Sequence, residues 1–167
     1  MEAQSSSFAA SPSSVPTHVD GGQYLTLRLG DEEYAIDILR VQEIRSYEVP
    51  TKMVNSPVFV KGVVNLRGVI VSIVDLRLKL QMAKAEYTDF TVVIILHING
   101  TVIGAVVDSV SDVVTLSSDD IKPAPQFESA IDARFIRGIV HLGERTLIVI
   151  NIETLLSNAE LGMVAAS

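Results

Sequence analysis

Carboxylates and imidazoles are the side chains of this sequence that acid–base or metal chemistry would use. Asp37, Asp75 and Asp108 each lie next to an apolar segment, where burial shifts the pKa of a carboxyl group. His97 and His141 fall on different predicted strands and belong to no H-x-x-x-H or H-E-x-x-H motif. No cysteine occurs, which excludes thiol nucleophiles and zinc–thiolate sites. The residues suited to catalysis are therefore few and scattered.

Asp75 has a simpler role than catalysis. It follows a β-branched run and precedes Leu76, Leu78 and Leu80, which is where the N-cap of a short helix belongs. An internal repeat places Asn151 at the equivalent position, and an amide caps a helix but cannot act as an acid or a base. No phosphate-binding glycine motif and no G-x-S-x-G elbow occurs. These residues therefore disfavour acid–base catalysis, and we predict no cofactor and no metal.

The internal repeat covers most of the chain. The segment 59–80, FVKGVVNLRGVIVSIVDLRLKL, aligns without gaps with 135–156, FIRGIVHLGERTLIVINIETLL, so that Gly138 follows Gly62 by 76 residues. Residues 30–44 align with 99–113 at a spacing of 69 residues. Positions that agree in both copies are expected to serve the fold. The identical pairs of the longer segment are Phe59 and Phe135, Gly62 and Gly138, Val64 and Val140, Leu66 and Leu142, and Leu80 and Leu156.

Arg67 is one conspicuous position at which the two copies differ, because its counterpart is Gly143. It lies in a predicted turn with Gly68, where an arginine is either a solvated turn residue or a five-donor anchor for a partner's carboxylates or carbonyls. Val41 and Val113 are either core residues or line a junction between the two copies. Phe127, near Lys122 in a Pro-rich loop, either packs back on its own unit or is an exposed anchor.

The predicted architecture is two five-stranded, largely antiparallel units, each closed into a small barrel that removes exposed edges. Residues 1–22 are rich in Ser, Pro and Gly and are predicted to form a disordered N-terminal tail. The ordered domain is predicted over 23–156, as two subdomains near 23–88 and 89–156 that interleave at their junction. Residues 157–167 are predicted to be a C-terminal helix or tail. A groove between the barrels would be a place for ligands or partners.

Charge and hydropathy exclude some functions. The net charge is −7 and the 13 basic residues form no run, which disfavours a nucleic-acid-binding barrel, as do the few aromatic residues. The first 27 residues carry no Lys or Arg and no apolar core, unlike a secretory signal, and no apolar run is long enough to span a membrane. We predict a cytoplasmic protein. A small β-barrel enzyme or ligand-binding protein that uses the cleft between the barrels is the alternative to a non-catalytic binding protein.

Four segments together resemble the CheW family of bacterial chemotaxis coupling proteins. They are LGDEEYAIDILRVQEIR (29–45), FVKGVVNLRGVIVSIVDLR (59–77), VVDSVSDVVTLSSDDIKPAP (106–125) and FIRGIVHLGERTLIVINIETLL (135–156). The resemblance covers roughly residues 23–156, in order and without large gaps. One departure is Ser72, where many members have proline.

The resemblance implies an all-β fold with minor α content, made of two pseudo-repeated five-stranded SH3-like barrels. It also implies a non-catalytic adaptor that couples methyl-accepting chemoreceptors to the regulatory domain of the histidine kinase CheA in arrays, with the membrane reached only through the receptors and with other coupler copies as further partners. Receptor contact is implied for Val41, Glu43, Ile44, Gly62, Arg67, Val92 and Val113. Contact with the kinase or a neighbouring coupler is implied for Lys122 and Phe127.

Overall fold

Ten strands and two short helices make up the described part of the chain. The computed structural model describes residues 21–82, 85–123 and 133–157. The predicted class, β with little helix, is confirmed. The strands are β1 (Gly21–Leu29), β2 (Glu32–Asp37), β3 (Val41–Ser46), β4 (Val60–Leu66), β5 (Val69–Asp75), β6 (Val92–Ile98), β7 (Thr101–Val107), β8 (Ser109–Ser117), β9 (Ile136–Leu142) and β10 (Arg145–Ile150). The helices are α1 (Leu76–Lys79) and α2 (Ile152–Leu155).

The strands form two five-stranded sheets. In the first sheet the order is β9-β10-β2-β1-β8, and in the second it is β4-β5-β7-β6-β3. Neighbouring strands are antiparallel except for the pairs β10–β2 and β5–β7, which are parallel. The two orders become identical when each strand is replaced by its counterpart in the other repeat. The repeat seen in the sequence is therefore a repeat of topology.

Each sheet takes strands from both repeats. The first sheet contains β1 and β2 of the first repeat with β8, β9 and β10 of the second, and the second sheet contains the complementary set. The chain passes between the sheets at Ile38–Arg40 and again at Asp108. The predicted division near residues 88 and 89 does not separate the two sheets, because the first hairpin of each repeat is exchanged. Subdomains that interleave were predicted, but alternating hydrophobicity identifies a strand and not its partner, so the sequence did not show which strands are exchanged.

Three apolar clusters follow from the two-residue period of the strands. In β6, Val93 and Ile95 face a cluster within the second sheet, while Ile94, Leu96 and Ile98 face a large cluster shared by both sheets. The first sheet has its own small cluster, which includes Tyr24 and Val140. Both faces of β6 are therefore buried along most of the strand. The shared cluster contains twenty buried residues, so the two sheets and both helices pack as one body.

A two-hydrogen-bond bridge links the outer strands of each sheet. Thr51, which follows β3, exchanges backbone hydrogen bonds of 2.9 and 2.8 Å with Val63 of β4. Lys122, which follows β8, does the same with Ile139 of β9 at 2.9 and 2.8 Å. Within the residues described, no other pairing joins these outer strands. Among the described residues of each sheet, a single bridge, and not a continuous ladder of hydrogen bonds, thus links the two edges.

The glycines shared by both repeats lie beneath these bridges. A Cβ on Gly62 would come within 2.1 Å of the Thr51 carbonyl oxygen, and Gly62 has a φ of 144°, which side chains rarely adopt. A Cβ on Gly138 would come within 2.5 Å of the Lys122 carbonyl oxygen. Both glycines also lie at shifts in the strand register. The reading of Gly62 as a packing glycine is therefore supported by its surroundings.

Candidate partner-binding surface

Arg67 lies in a tight turn between β4 and β5, as predicted. Arg67 and Gly68 have φ values of 54° and 88°, and the Gly68 amide donates a 2.8 Å hydrogen bond to Asn65 Oδ1. Two consecutive positive φ values are characteristic of a type I′ hairpin turn, whose twist suits the flanking strands. The turn directs the Arg67 side chain outward, where it is 65% exposed. The backbone therefore presents a guanidinium at the surface.

Glu43 on β3 is the ion-pair partner of this guanidinium. Its carboxylate accepts hydrogen bonds from Arg67 at 2.5 Å and from Arg45 at 3.1 Å. These hydrogen bonds from Arg67 and then Arg45 hold the pKa of Glu43 below its usual value. An ion pair this exposed contributes little to stability. The pair can therefore exchange for contacts with a partner at little cost.

An apolar pocket adjoins Arg67. It has a volume of about 190 Å³ and is lined by Gln42, Leu66, Val69, Val71 and Val102 together with Arg67. Val69 and the next residue, Ile70, are 52% and 64% exposed, which is unusual for β-branched residues in a strand. All these residues belong to the second sheet. The residues that line this pocket with Arg67 therefore come from one sheet.

The equivalent surface of the first sheet is filled by charges. The counterparts of Val69, Val102 and Glu43 in the repeat are Arg145, Glu33 and Asp112. Arg145 donates hydrogen bonds to Glu33 at 2.7 Å and to Asp112 at 3.1 Å. These contacts, first to Glu33 and then to Asp112, raise the pKa of Arg145, and the pKa of Asp112 is lowered by hydrogen bonds from Arg145 and Thr26. The same fold positions thus carry an ion cluster in the first sheet. In the second sheet, Val69 and Val102 line a pocket beside Arg67.

The other predicted receptor-contact residues are divided between the sheets. Six of the seven belong to the second sheet, and only Val113 of β8 belongs to the first. Ile44 and Val113 are equivalent in the repeat and are 43% and 48% exposed. Val41 and Val92 are partly buried and pack against the shared core, while Gly62 is buried under Thr51. The role of this set in partner binding stays a prediction.

Of the two predicted kinase-contact residues, Lys122 lies within the described part of the chain. Lys122 is exposed and its backbone forms the bridge to Ile139. Phe127 lies outside the described residues.

Sequence reasoning missed Val69, Ile70 and Val102, because β-branched residues in a predicted strand are normally assigned to the core. The charged residues Arg145 and Glu33, at the positions equivalent to Val69 and Val102, were the available signal.

The three candidate catalytic carboxylates all have structural partners. Asp37 caps the turn at Ile38–Arg40 by accepting from the Leu39 amide at 2.9 Å, and Asp75 caps α1 by accepting from the Arg77 amide at 2.9 Å. Asp108 accepts from the Gly30 amide at 2.6 Å and pairs with Arg77. The predicted cap at Asn151 is also confirmed.

Residues 21–82, 85–123 and 133–157 contain no group of three or more metal-ligating side chains. None of their helices is long and apolar enough to cross a membrane.

Known proteins with similar sequences and structures identify the family. The model of the CheW-like domain matches residues 23–160. A chemotaxis protein CheW from Klebsiella aerogenes is 49% identical over 144 residues, which cover 86% of this chain and 87% of the relative. A probable chemotaxis protein CheW from Rhizobium etli is 36% identical, covering 83% of this chain and 89% of the relative.

A solved structure points to the same family as the sequence relatives. The crystal structure of the scaffolding protein TtCheW from Thermoanaerobacter tengcongensis superposes with a TM-score of 0.75 at 29% identity, covering 82% of this chain and 93% of that one. The family model, the relatives and the fold agree over nearly the whole ordered chain. This chain belongs to the CheW-like family.

Proposed function

We propose that this chain is a non-catalytic adaptor of bacterial chemotaxis, which couples chemoreceptors to the histidine kinase CheA so that receptor state controls kinase activity. The relatives in Klebsiella and Rhizobium carry chemotaxis names, and the Thermoanaerobacter protein is described as a scaffold. The observation that carries the proposal is the contrast between the two repeat-equivalent surfaces. The first sheet carries Arg145 at the position of Val69, so the exposure of Val69 beside Arg67 is not a requirement of the fold.

The receptor would bind as an amphipathic helix. Its apolar residues would cover Val69 and Ile70, and a carboxylate or carbonyl of the same helix would accept hydrogen bonds from Arg67. Glu43 holds Arg67 in the free protein, so binding exchanges one exposed ion pair for another that the partner partly buries. A buried charge-assisted hydrogen bond is stronger than an exposed one, which favours the complex.

Signal transfer requires a second contact and a difference between receptor states. We assign the second contact, with the kinase or a neighbouring coupler, to the region of Lys122 and Phe127. Two sites on one rigid body raise the effective concentration of each partner for the other without any new chemistry. A receptor whose affinity differs between kinase-on and kinase-off states then shifts the kinase equilibrium. In this proposal the protein works in the cytoplasm and reaches the membrane only through receptors.

Co-sedimentation tests this function. Receptor signalling fragments assembled on vesicles are mixed with CheA and with the wild-type chain, Arg67→Ala or Arg137→Ala, the last being an exposed arginine of the first sheet. We expect the wild type and Arg137→Ala to bring CheA into the pellet and to restore receptor control of autophosphorylation, and Arg67→Ala to fail in both. A wild-type chain that recruits neither partner would refute the proposed function. If all three chains bring the same amount of CheA into the pellet, the proposal that Arg67 belongs to the receptor-binding surface is wrong.

A further inference from the structure

A second concave surface lies away from Arg67. It is an open cleft of about 920 Å³ between the β1–β2 turn and the segment that leads into β6. Met82 contributes apolar surface, and Phe90 adds a ring that is 75% exposed. Asp31, Glu32 and Glu86 place carboxylates around it. The cleft therefore combines an apolar lining with a mostly negative rim.

Both walls of the cleft are held in place by hydrogen bonds. The β1–β2 turn is attached to the β7–β8 junction, where Asp108 accepts from the Gly30 amide at 2.6 Å and donates its own amide to the Arg28 carbonyl at 3.1 Å. On the other wall, Arg77 donates to the Glu86 carbonyl at 2.9 Å. The neighbouring Tyr87 stacks on Tyr47 with a centroid distance of 4.5 Å. A cleft with fixed walls loses little entropy when it binds a ligand.

The β1–β2 turn itself does not require the acidic rim. In the other repeat, the positions of Asp31 and Glu32 are occupied by Gly100 and Thr101, and that hairpin turn forms without any carboxylate. Glu32 Oε1 accepts a 2.8 Å hydrogen bond from the hydroxyl of the buried Tyr34, whereas Phe90 contributes little to the packing, since most of its surface is in contact with solvent. An exposed phenylalanine beside carboxylates that the turn does not need is the composition of a binding site.

We propose that this cleft binds a basic segment of a protein partner, in which one aliphatic side chain is flanked by arginine or lysine. The aliphatic side chain lies against Phe90 and Met82, and the cationic groups donate hydrogen bonds to Asp31 and Glu32. Arg28 also lines the cleft and donates a 3.3 Å hydrogen bond to the Asp31 carbonyl. The acidic side chains around the cleft outnumber this one cation. A negative rim disfavours acidic segments, so the cleft also selects by charge. This site goes beyond the proposed coupling function and uses none of its residues.

NMR titration of the full-length chain tests the proposal. The probe is the capped peptide Gly-Ser-Arg-Leu-Arg-Ser-Gly, compared with a peptide that has Glu in place of both Arg residues, and with spermidine. We expect the basic peptide to cause saturating shifts of the amides of Gly30, Asp31 and Phe90. Its affinity should fall at least about fivefold when NaCl rises from about 20 to 200 mM, because rim charges are screened. The acidic peptide should cause no such shifts.

Two variants and a control complete the test. The double variant Asp31→Asn with Glu32→Gln and the single variant Phe90→Ala should each weaken peptide binding at least about fivefold, because each removes one of the two contact types. Glu144→Gln, an exposed acid in the turn between β9 and β10, should bind like the wild type. No shift up to about 5 mM peptide, shifts spread equally over the acidic surface, or spermidine binding as tightly as the peptide would each overturn the proposal.

Discussion

The guanidinium of Arg77 lies flat against the carboxylate of Asp75, with Nε–Oδ1 and Nη2–Oδ2 distances of 2.7 and 2.9 Å, and both side chains are fully buried. Arg77 also pairs with Asp108, whereas Tyr87 donates to Asp75. The helix of the first repeat is thereby joined to the junction between β7 and β8, which belong to the second repeat. In the other half, Glu153 of α2 pairs with Arg40 at 3.0 Å, with the charges reversed.

The buried pair should be far more sensitive to mutation than its exposed counterpart. Arg77→Met leaves Asp75 buried without its cation, and such a loss costs about 3–5 kcal/mol of unfolding free energy. Arg40→Met breaks a pair whose side chains are about 40% exposed, and should cost less than about 1 kcal/mol. Urea denaturation of both variants measures the difference. Equal losses in the two variants would show that burial of the first pair has no energetic consequence.

The same pair predicts how stability depends on pH. Burial alone would raise the pKa of Asp75, but hydrogen bonds from Arg77 and Tyr87 hold it below its usual value. The folded pKa is therefore lower than the unfolded value of about 3.9. The stabilising contribution is complete above that value and is lost as pH falls through the folded pKa. Urea midpoints from about pH 7 to pH 2.5 should fall less steeply at the acid end in Asp75→Asn than in the wild type; identical slopes would contradict this account.

Arg67→Ala should separate binding from stability. The side chain is 65% exposed and pairs only with Glu43 in the described structure, so the unfolding free energy should change by less than about 0.5 kcal/mol. Receptor affinity should fall about 5- to 150-fold, which corresponds to about 1–3 kcal/mol for an arginine at the centre of an interface. Calorimetry with receptor fragments and thermal unfolding measure the two effects. A large shift in melting temperature with unchanged affinity would make Arg67 a structural residue.

Gly62 should be intolerant of any side chain for reasons of packing. Gly62→Ala brings a Cβ within 2.1 Å of the Thr51 carbonyl oxygen, so the bridge between the outer strands must move. We expect a loss of at least about 2 kcal/mol, from overpacking and the unfavourable φ together. Gly143→Ala also has a positive φ but meets nothing within 4 Å, and should cost about 1 kcal/mol. Similar costs at both positions would mean that backbone strain, and not the bridge, requires Gly62.

Much of the local structure could be predicted from residue patterns. The hairpin at Asn99-Gly100, the caps at Asp75 and Asn151 and the two-sided burial of β6 follow from neighbouring residues alone, and all are observed. The repeat also distinguished positions such as Gly62 that serve the fold from those such as Arg67 that differ between copies. Each of these inferences depends on interactions within a few residues or on comparison of the two copies.

The arrangement of those pieces was decided by tertiary packing. Both sheets offer chemically similar Val- and Ile-rich edges, so nothing local states that β2 pairs with β10 or β7 with β5. The exposure of Val69 near Arg67, and the burial of Arg77, likewise depend on which surfaces meet after the hairpins are exchanged. The sequence by itself determined the strands, the turns and the family. Only the three-dimensional pairing decided which of two equivalent faces remained open, because a face is open or filled according to side chains that are distant along the chain.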